Sequence, residues 1–104
     1  MPAYIIARFR IHDRESYDRY DAAFMPVFAK FQGKLLSVDE NPDVLEGAWE
    51  FTRSVLIEFP DKAAATAWMT SPEYRAIAKD RISASEGQVI MVEGLTPPLA
   101  PTGG

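Results

Sequence analysis

The sequence predicts a single α+β domain in which helices pack on one face of a four-stranded antiparallel sheet. Three observations lead there. Two segments, Tyr4–Ile11 and Thr52–Phe59, alternate residues with the period of a strand. Each is followed by a helical pattern that opens at a capping residue. Two shorter segments, Leu35–Asp39 and Gln88–Glu93, complete the order strand, helix, strand, strand, helix, strand.

The first strand carries Ile5, Ala7, Phe9 and Ile11 on one face and Tyr4, Ile6, Arg8 and Arg10 on the other. The first face is wholly apolar and is expected to meet helices. The second is mixed and suits a partner or a pocket. Asp13 then supplies an N-cap, since its carboxylate can accept from the free amides of the next turn. Tyr17, Tyr20, Phe24, Val27, Phe28 and Phe31 recur at three and four residues, as on one side of a helix. Pro26 removes a helical hydrogen bond, which predicts a kink near Ala22 to Met25. Gly33 is read as the residue that ends the helix.

Leu35–Asp39 is a shorter, more polar strand, followed by the turn residues Asn41, Pro42 and Asp43. The loop from Val44 to Glu50 contains Val44, Leu45 and Trp49, so it needs cover from this chain or another. In Thr52–Phe59, Val55, Ile57 and Phe59 share one face, and Ser54, Leu56 and Glu58 the other. Asp61 caps a short Ala-rich helix ending near Met69. Ser71, Pro72 and Glu73 open another with a cap, a proline in the first turn and an acid at the positive end of the helix dipole. Its inner face is read as Tyr74, Ile77, Ala78, Arg81 and Ile82, and Gly87 as its end. In this order the first and third strands are central neighbours and helices cover one face only. This is the ferredoxin-like split βαβ arrangement.

One hundred and four residues set one domain, assigned to residues 1–95, with the Pro/Gly segment 96–104 expected to be a disordered tail. A net charge of −4 without a dense basic patch argues against nucleic-acid binding. The absence of cysteine excludes disulfides and thiol chemistry, and one histidine makes a zinc site a poor expectation. The first residues lack the apolar core of a signal peptide, and no apolar run approaches the roughly 20 residues needed to cross a bilayer. A cytoplasmic protein without membrane contact is expected.

The Tyr-rich first helix with Gly33, then Val44-Leu45-Glu46-Gly47, Ile57-Glu58-Phe59-Pro60, Ser71-Pro72-Glu73-Tyr74, Arg81 and Val92-Glu93-Gly94, resemble in order and spacing the domain of unknown function 1330 family, of the dimeric α/β-barrel superfamily. The resemblance implies a homodimer but no established activity. Relatives in that superfamily look like cofactor-free monooxygenases, isomerases and haem enzymes. No haem-ligand motif is present, His12 at a strand end being a poor candidate, so no cofactor is expected.

Glu58 is the candidate catalytic residue. Read structurally, it pairs at the dimer face with Arg8 or Arg10 of the neighbouring strand. Read functionally, it is a general base or a substrate-orienting carboxylate. Arg8, Arg10, Tyr20, Trp49, Tyr74 and Arg81 are the candidate substrate-binding residues. Arg81 either holds an anionic substrate or pairs with a carboxylate, and Tyr74 lies seven residues before it on the same helical face. Tyr20 is a core residue with its hydroxyl at the rim. Trp49 is an interface plug or a pocket lid. Two functions follow: a cofactor-free enzyme acting on a small, partly apolar molecule, or a non-catalytic dimeric module that binds small molecules or serves a stress response. A pocket with Glu58 pointing into it favours the first, and Glu58 fully paired with arginines favours the second.

Overall fold

A computed structural model describes residues 1–95; the expected tail, 96–104, lies outside the described residues. Strands β1 (Ala3–Ile11), β2 (Lys34–Asp39), β3 (Arg53–Phe59) and β4 (Ser85–Glu93) alternate with helices α1 (Arg14–Phe28), α2 (Lys62–Met69) and α3 (Pro72–Ala84). The sheet order is β2-β3-β1-β4, with every neighbouring pair antiparallel. Thus β1 and β3 are the central pair, as the split βαβ order requires.

Parity decides which residues enter the core. Ala3, Ile5, Ala7 and Phe9 are buried on the helix side of β1, beside Ile57 and Phe59 of β3. Trp68 of α2 lies among Phe24, Phe28, Phe59 and Tyr74, its ring centroid 4.3 Å from that of Tyr74 and 5.4 Å from that of Phe28. The helix starts follow their caps: Asp13 accepts from the Ser16 amide at 3.2 Å, Asp61 from Ala64 at 2.8 Å, and the Ser71 hydroxyl from Tyr74 at 3.1 Å. No helix among the described residues is long and apolar enough to cross a membrane.

Several local expectations are corrected. Helix α1 ends at Phe28, before Gly33. Pro26 lies in its last turn, where only a terminal ladder bond is lost, and the helix is continuous through it. Gly33 serves space rather than termination: a Cβ there would strike the Phe28 ring and lie 2.8 Å from Phe59 Cε1. Gly87 is likewise inside β4, which starts at Ser85 directly after α3; a side chain at Gly87 would strike the Phe9 ring. Ile82 is 65 % exposed and does not belong to the inner face of α3. A register shift between Leu35 and Ser37 leaves Leu36 outside the β2–β3 pairing.

Candidate functional site

The helices cover one face of the sheet, and the two faces carry different candidate sites. On the helix side a cavity of about 40 Å³ lies between sheet, α1 and α2. Its lining is apolar apart from Tyr20, Tyr74 and Trp68, and it borders the half-exposed Leu35 and Val38 of β2. The Tyr20 and Tyr74 hydroxyls are 3.0 Å apart. One donates to the other, so one phenolic proton remains for an acceptor. Burial pushes the Tyr20 hydroxyl well above the ordinary tyrosine range, with the Tyr74 hydroxyl adding to the effect, so Tyr20 stays neutral. The Trp68 indole N–H is buried with no acceptor among the described residues. Behind this wall, the Arg81 guanidinium carbon lies 5.1 Å from the Phe9 ring centroid and 5.9 Å from that of Tyr20. No carboxylate pairs with Arg81 among the described residues, and its buried Nε lacks a partner. Nearby, Tyr17 is pushed up to about 12 by burial, opposed by the Arg53 charge over its ring.

The other face is open, and the register arranges it in rows. Asp39, Ser54, Arg8 and Gln88 form one row across the four strands. Ser37, Leu56, Ile6 and Ile90 form the next, and Lys34, Glu58, Tyr4 and Val92 the one after that. A groove of about 530 Å³ runs over the first two rows, and Trp49 folds onto it. Arg8 donates from Nε to Gln88 Oε1 at 2.6 Å, and its guanidinium carbon lies 4.4 Å from the Phe51 ring centroid. Trp49 meets the edge of Phe51, at 5.1 Å between centroids.

This register corrects the expected pairing of Glu58. Glu58 lies opposite Tyr4 on one side and Lys34 on the other, whereas Arg8 lies opposite Ser54. Arg10 is engaged by Glu50 and Glu86, each at 3.8 Å. Among the described residues Glu58 joins no ion pair, and it lines neither the cavity nor the groove. The structure therefore brings Tyr20, Tyr74 and Arg81 together on the helix side, and Arg8 and Trp49 together on the open side. It leaves Arg10 and Glu58 apart from both.

Three contributors were missed. Trp68 had a signal: a single large ring in the run Ala63-Ala64-Ala65-Thr66-Ala67 is the part of α2 able to fill the space below it. Phe51 and Gln88 had none, because their contacts with Arg8 depend on strand register and loop path.

The fold is similar to solved structures from several bacteria. A protein of unknown function from Rhodopseudomonas palustris superposes with a TM-score of 0.75 at 22 % identity, over 90 % of this chain and 82 % of that one. A dimeric ferredoxin-like protein of unknown function from Jannaschia sp. CCS1 gives 0.68 at 16 %, over 89 % and 99 %. SnoaB, a cofactor-independent oxygenase from Streptomyces nogalater, gives 0.64 at 14 %, over 90 % and 93 %. No curated protein matches the chain. The strand order and the solved structures show a ferredoxin-like α+β fold, and the model of the family described as Domain of unknown function (DUF1330) matches residues 2–95, so the chain belongs to that family.

Proposed function

We propose that the protein works as a homodimer, two copies packed through their open sheet faces, and that each copy binds a small, mostly apolar molecule in the cavity between sheet and helices. The observation that supports this is the Tyr20–Tyr74 hydroxyl pair, which leaves one proton to donate in a lining that, apart from the Trp68 N–H, is otherwise apolar. A ligand with one carbonyl or hydroxyl oxygen matches that inventory. At about 40 Å³ the cavity takes such a molecule only if its border yields, and Met69, an unbranched and adaptable side chain, stands at that border. Binding comes first because, among the described residues, no carboxylate or histidine lines the cavity to serve as a base. The pairing of copies is supported by the one-sided helix cover and by the dimeric Jannaschia protein of similar fold.

Titration with an aromatic ketone such as acetophenone, followed at the Trp68 indole N–H by NMR, tests the binding. A saturable shift that weakens about tenfold when Tyr20 and Tyr74 are both changed to Phe, which removes every phenolic donor, is expected. No shift at millimolar ligand, or equal affinity in the variant, defeats the reading. A second reading, catalysis without a cofactor, draws on the Trp68 N–H and the free tyrosine proton. Donors fixed in a dry cavity stabilise negative charge developing on a substrate oxygen. The oxygenase of similar fold from Streptomyces nogalater supports it. Oxygen uptake with a phenolic substrate, lost in Tyr20→Phe, would move this reading ahead of simple binding.

A further inference from the structure

We propose that the groove on the open face is a second binding site, for a small organic carboxylate with a flat apolar body. Charge accounting leads to it. Arg10, Arg14, Arg19 and Arg53 all hold acidic partners. Arg8, Arg75 and Arg81 hold none among the described residues, and of these three Arg8 is the one on the sheet, in the central strand β1. Neutral groups fix it instead: Gln88 takes its Nε and Phe51 lies under its guanidinium. The two terminal nitrogens, the pair whose spacing matches a carboxylate, take part in no hydrogen bond or ion pair among the described residues.

A second observation meets the first in the same groove. Trp49 lines it, and its indole N–H is buried without an acceptor among the described residues. A buried donor left unpaired is costly, so the present seat of the Val44–Glu50 loop leaves something to be gained. An acceptor in the groove would satisfy both Trp49 and Arg8 once that loop moves to turn the buried N–H toward it. The remaining lining specifies the rest of the ligand. Leu56, Ile6 and Ile90 form a continuous apolar row beside Arg8, and at about 530 Å³ the groove has the size of small-molecule pockets. One fork and one indole donor without a second cation suit a single carboxylate rather than a phosphate ester.

The acids that face this region are already engaged. Asp39, in the same row, accepts from the Asn41 amide, and Glu50 and Glu86 are held by Arg10. All the site's residues belong to one chain. A second copy on this face would roof the groove, so its binding and the proposed pairing are measured separately.

The chain has two tryptophans, one at each site, so their indole signals separate the two. The full protein titrated with naphthoate should show a saturable shift of the Trp49 indole N–H while that of Trp68 stays still. Arg8→Met should lower the affinity about tenfold or more and Arg8→Lys by less, since an ammonium lacks the fork. On the unaltered protein, naphthalenemethanol, with the same body and no charge, should bind about tenfold more weakly, a comparison that needs no variant. A shift at Trp68 alone, equal binding of acid and alcohol, or no saturable shift at millimolar naphthoate overturns the site. Sedimentation of the same samples tests the pairing independently: slow sedimentation with the Trp49 shift retained would defeat the dimer and keep the site.

Discussion

At the scale of single residues, the cavity rests on hydrogen-bond pairing. Tyr74→Phe would leave the Tyr20 hydroxyl buried without a partner, which costs about 1–3 kcal/mol, whereas changing both to Phe would recover much of that loss. Urea unfolding of the single and double variants measures it, and a double variant weaker than the sum of the singles would show that the pair is not the unit. Gly33→Ala should cost about 1–3 kcal/mol, since the added methyl meets rings on both sides, Phe28 and Phe59, and neither can swing away within the core. The same unfolding midpoints report it. Glu58→Gln should stay within about 0.5 kcal/mol of the parent and leave both ligand titrations unchanged, because Glu58 joins no ion pair among the described residues and lines neither site. The sequence made Glu58 the leading candidate because alternation assigns a residue to a face. Alternation does not assign it to a row. Arg8 and Glu58 share a face of neighbouring strands yet stand four residues apart in register, about 13 Å along the strand.

At the scale of elements, the helix starts were legible and the helix ends less so. Caps are local chemistry, written in one residue and read by the amides just after it, and Asp13, Asp61 and Ser71 all cap as expected. Gly33 and Gly87 misled because a glycine that ends a helix and a glycine that makes room for a ring look alike in sequence. Only packing shows that Phe28 and Phe9 occupy the space. Asp61→Ala should destabilise by about 1 kcal/mol through the lost bond to the Ala64 amide, read as a lower thermal midpoint. The cap of α1 adds a pH dependence. The Ser16 amide and hydroxyl hold Asp13 below its ordinary 3.8, and a hydrogen bond from Arg14 holds Glu40 below its ordinary 4.5. A carboxylate depressed in the folded state stabilises the fold above its unfolded value, and that contribution is lost as pH falls through the folded value. Thermal midpoints should therefore fall as pH drops below about 4, and less steeply in Asp13→Asn, which keeps a capping oxygen without the charge. Asp21 works in the opposite sense, because burial raises it despite its 3.0 Å contact with Arg53. An acid limb unchanged in Asp13→Asn would assign it to other groups.

At the scale of the whole molecule, the sheet has a covered face and an uncovered one, and this division was legible from the first strand onward. On the apolar face of Tyr4–Ile11, Ile5, Ala7 and Phe9 are buried, Ile11 packs against the core, and Phe9 meets Tyr17 of α1. What the sequence could not show is how the open face is organised: an apolar row at its centre, a polar row with Arg8 on one flank, and Glu58 with Lys34 on the other. That layout matches an interface, with an apolar centre and a charged rim. Ile6 and Ile90 are 41 % and 53 % exposed in a single chain, with Val92 beside them at 36 %. A second copy burying such faces in an interface of standard size would remove about 1,600 Å² from water in total. The chain should therefore sediment as a dimer at micromolar concentration. Ile90→Asp would put a charge in the middle of the apolar row and should give a monomer whose circular dichroism stays native, since Ile90 does not belong to the helix-side core. Trp49→Ala should weaken the dimer by about 2–4 kcal/mol if the aromatic loop is an anchor of that interface. A parent protein that sediments as a monomer, or an Ile90→Asp variant that stays dimeric, would mean that the open face is not where two copies meet, and the groove with Arg8 would then stand open to solvent as a site of its own.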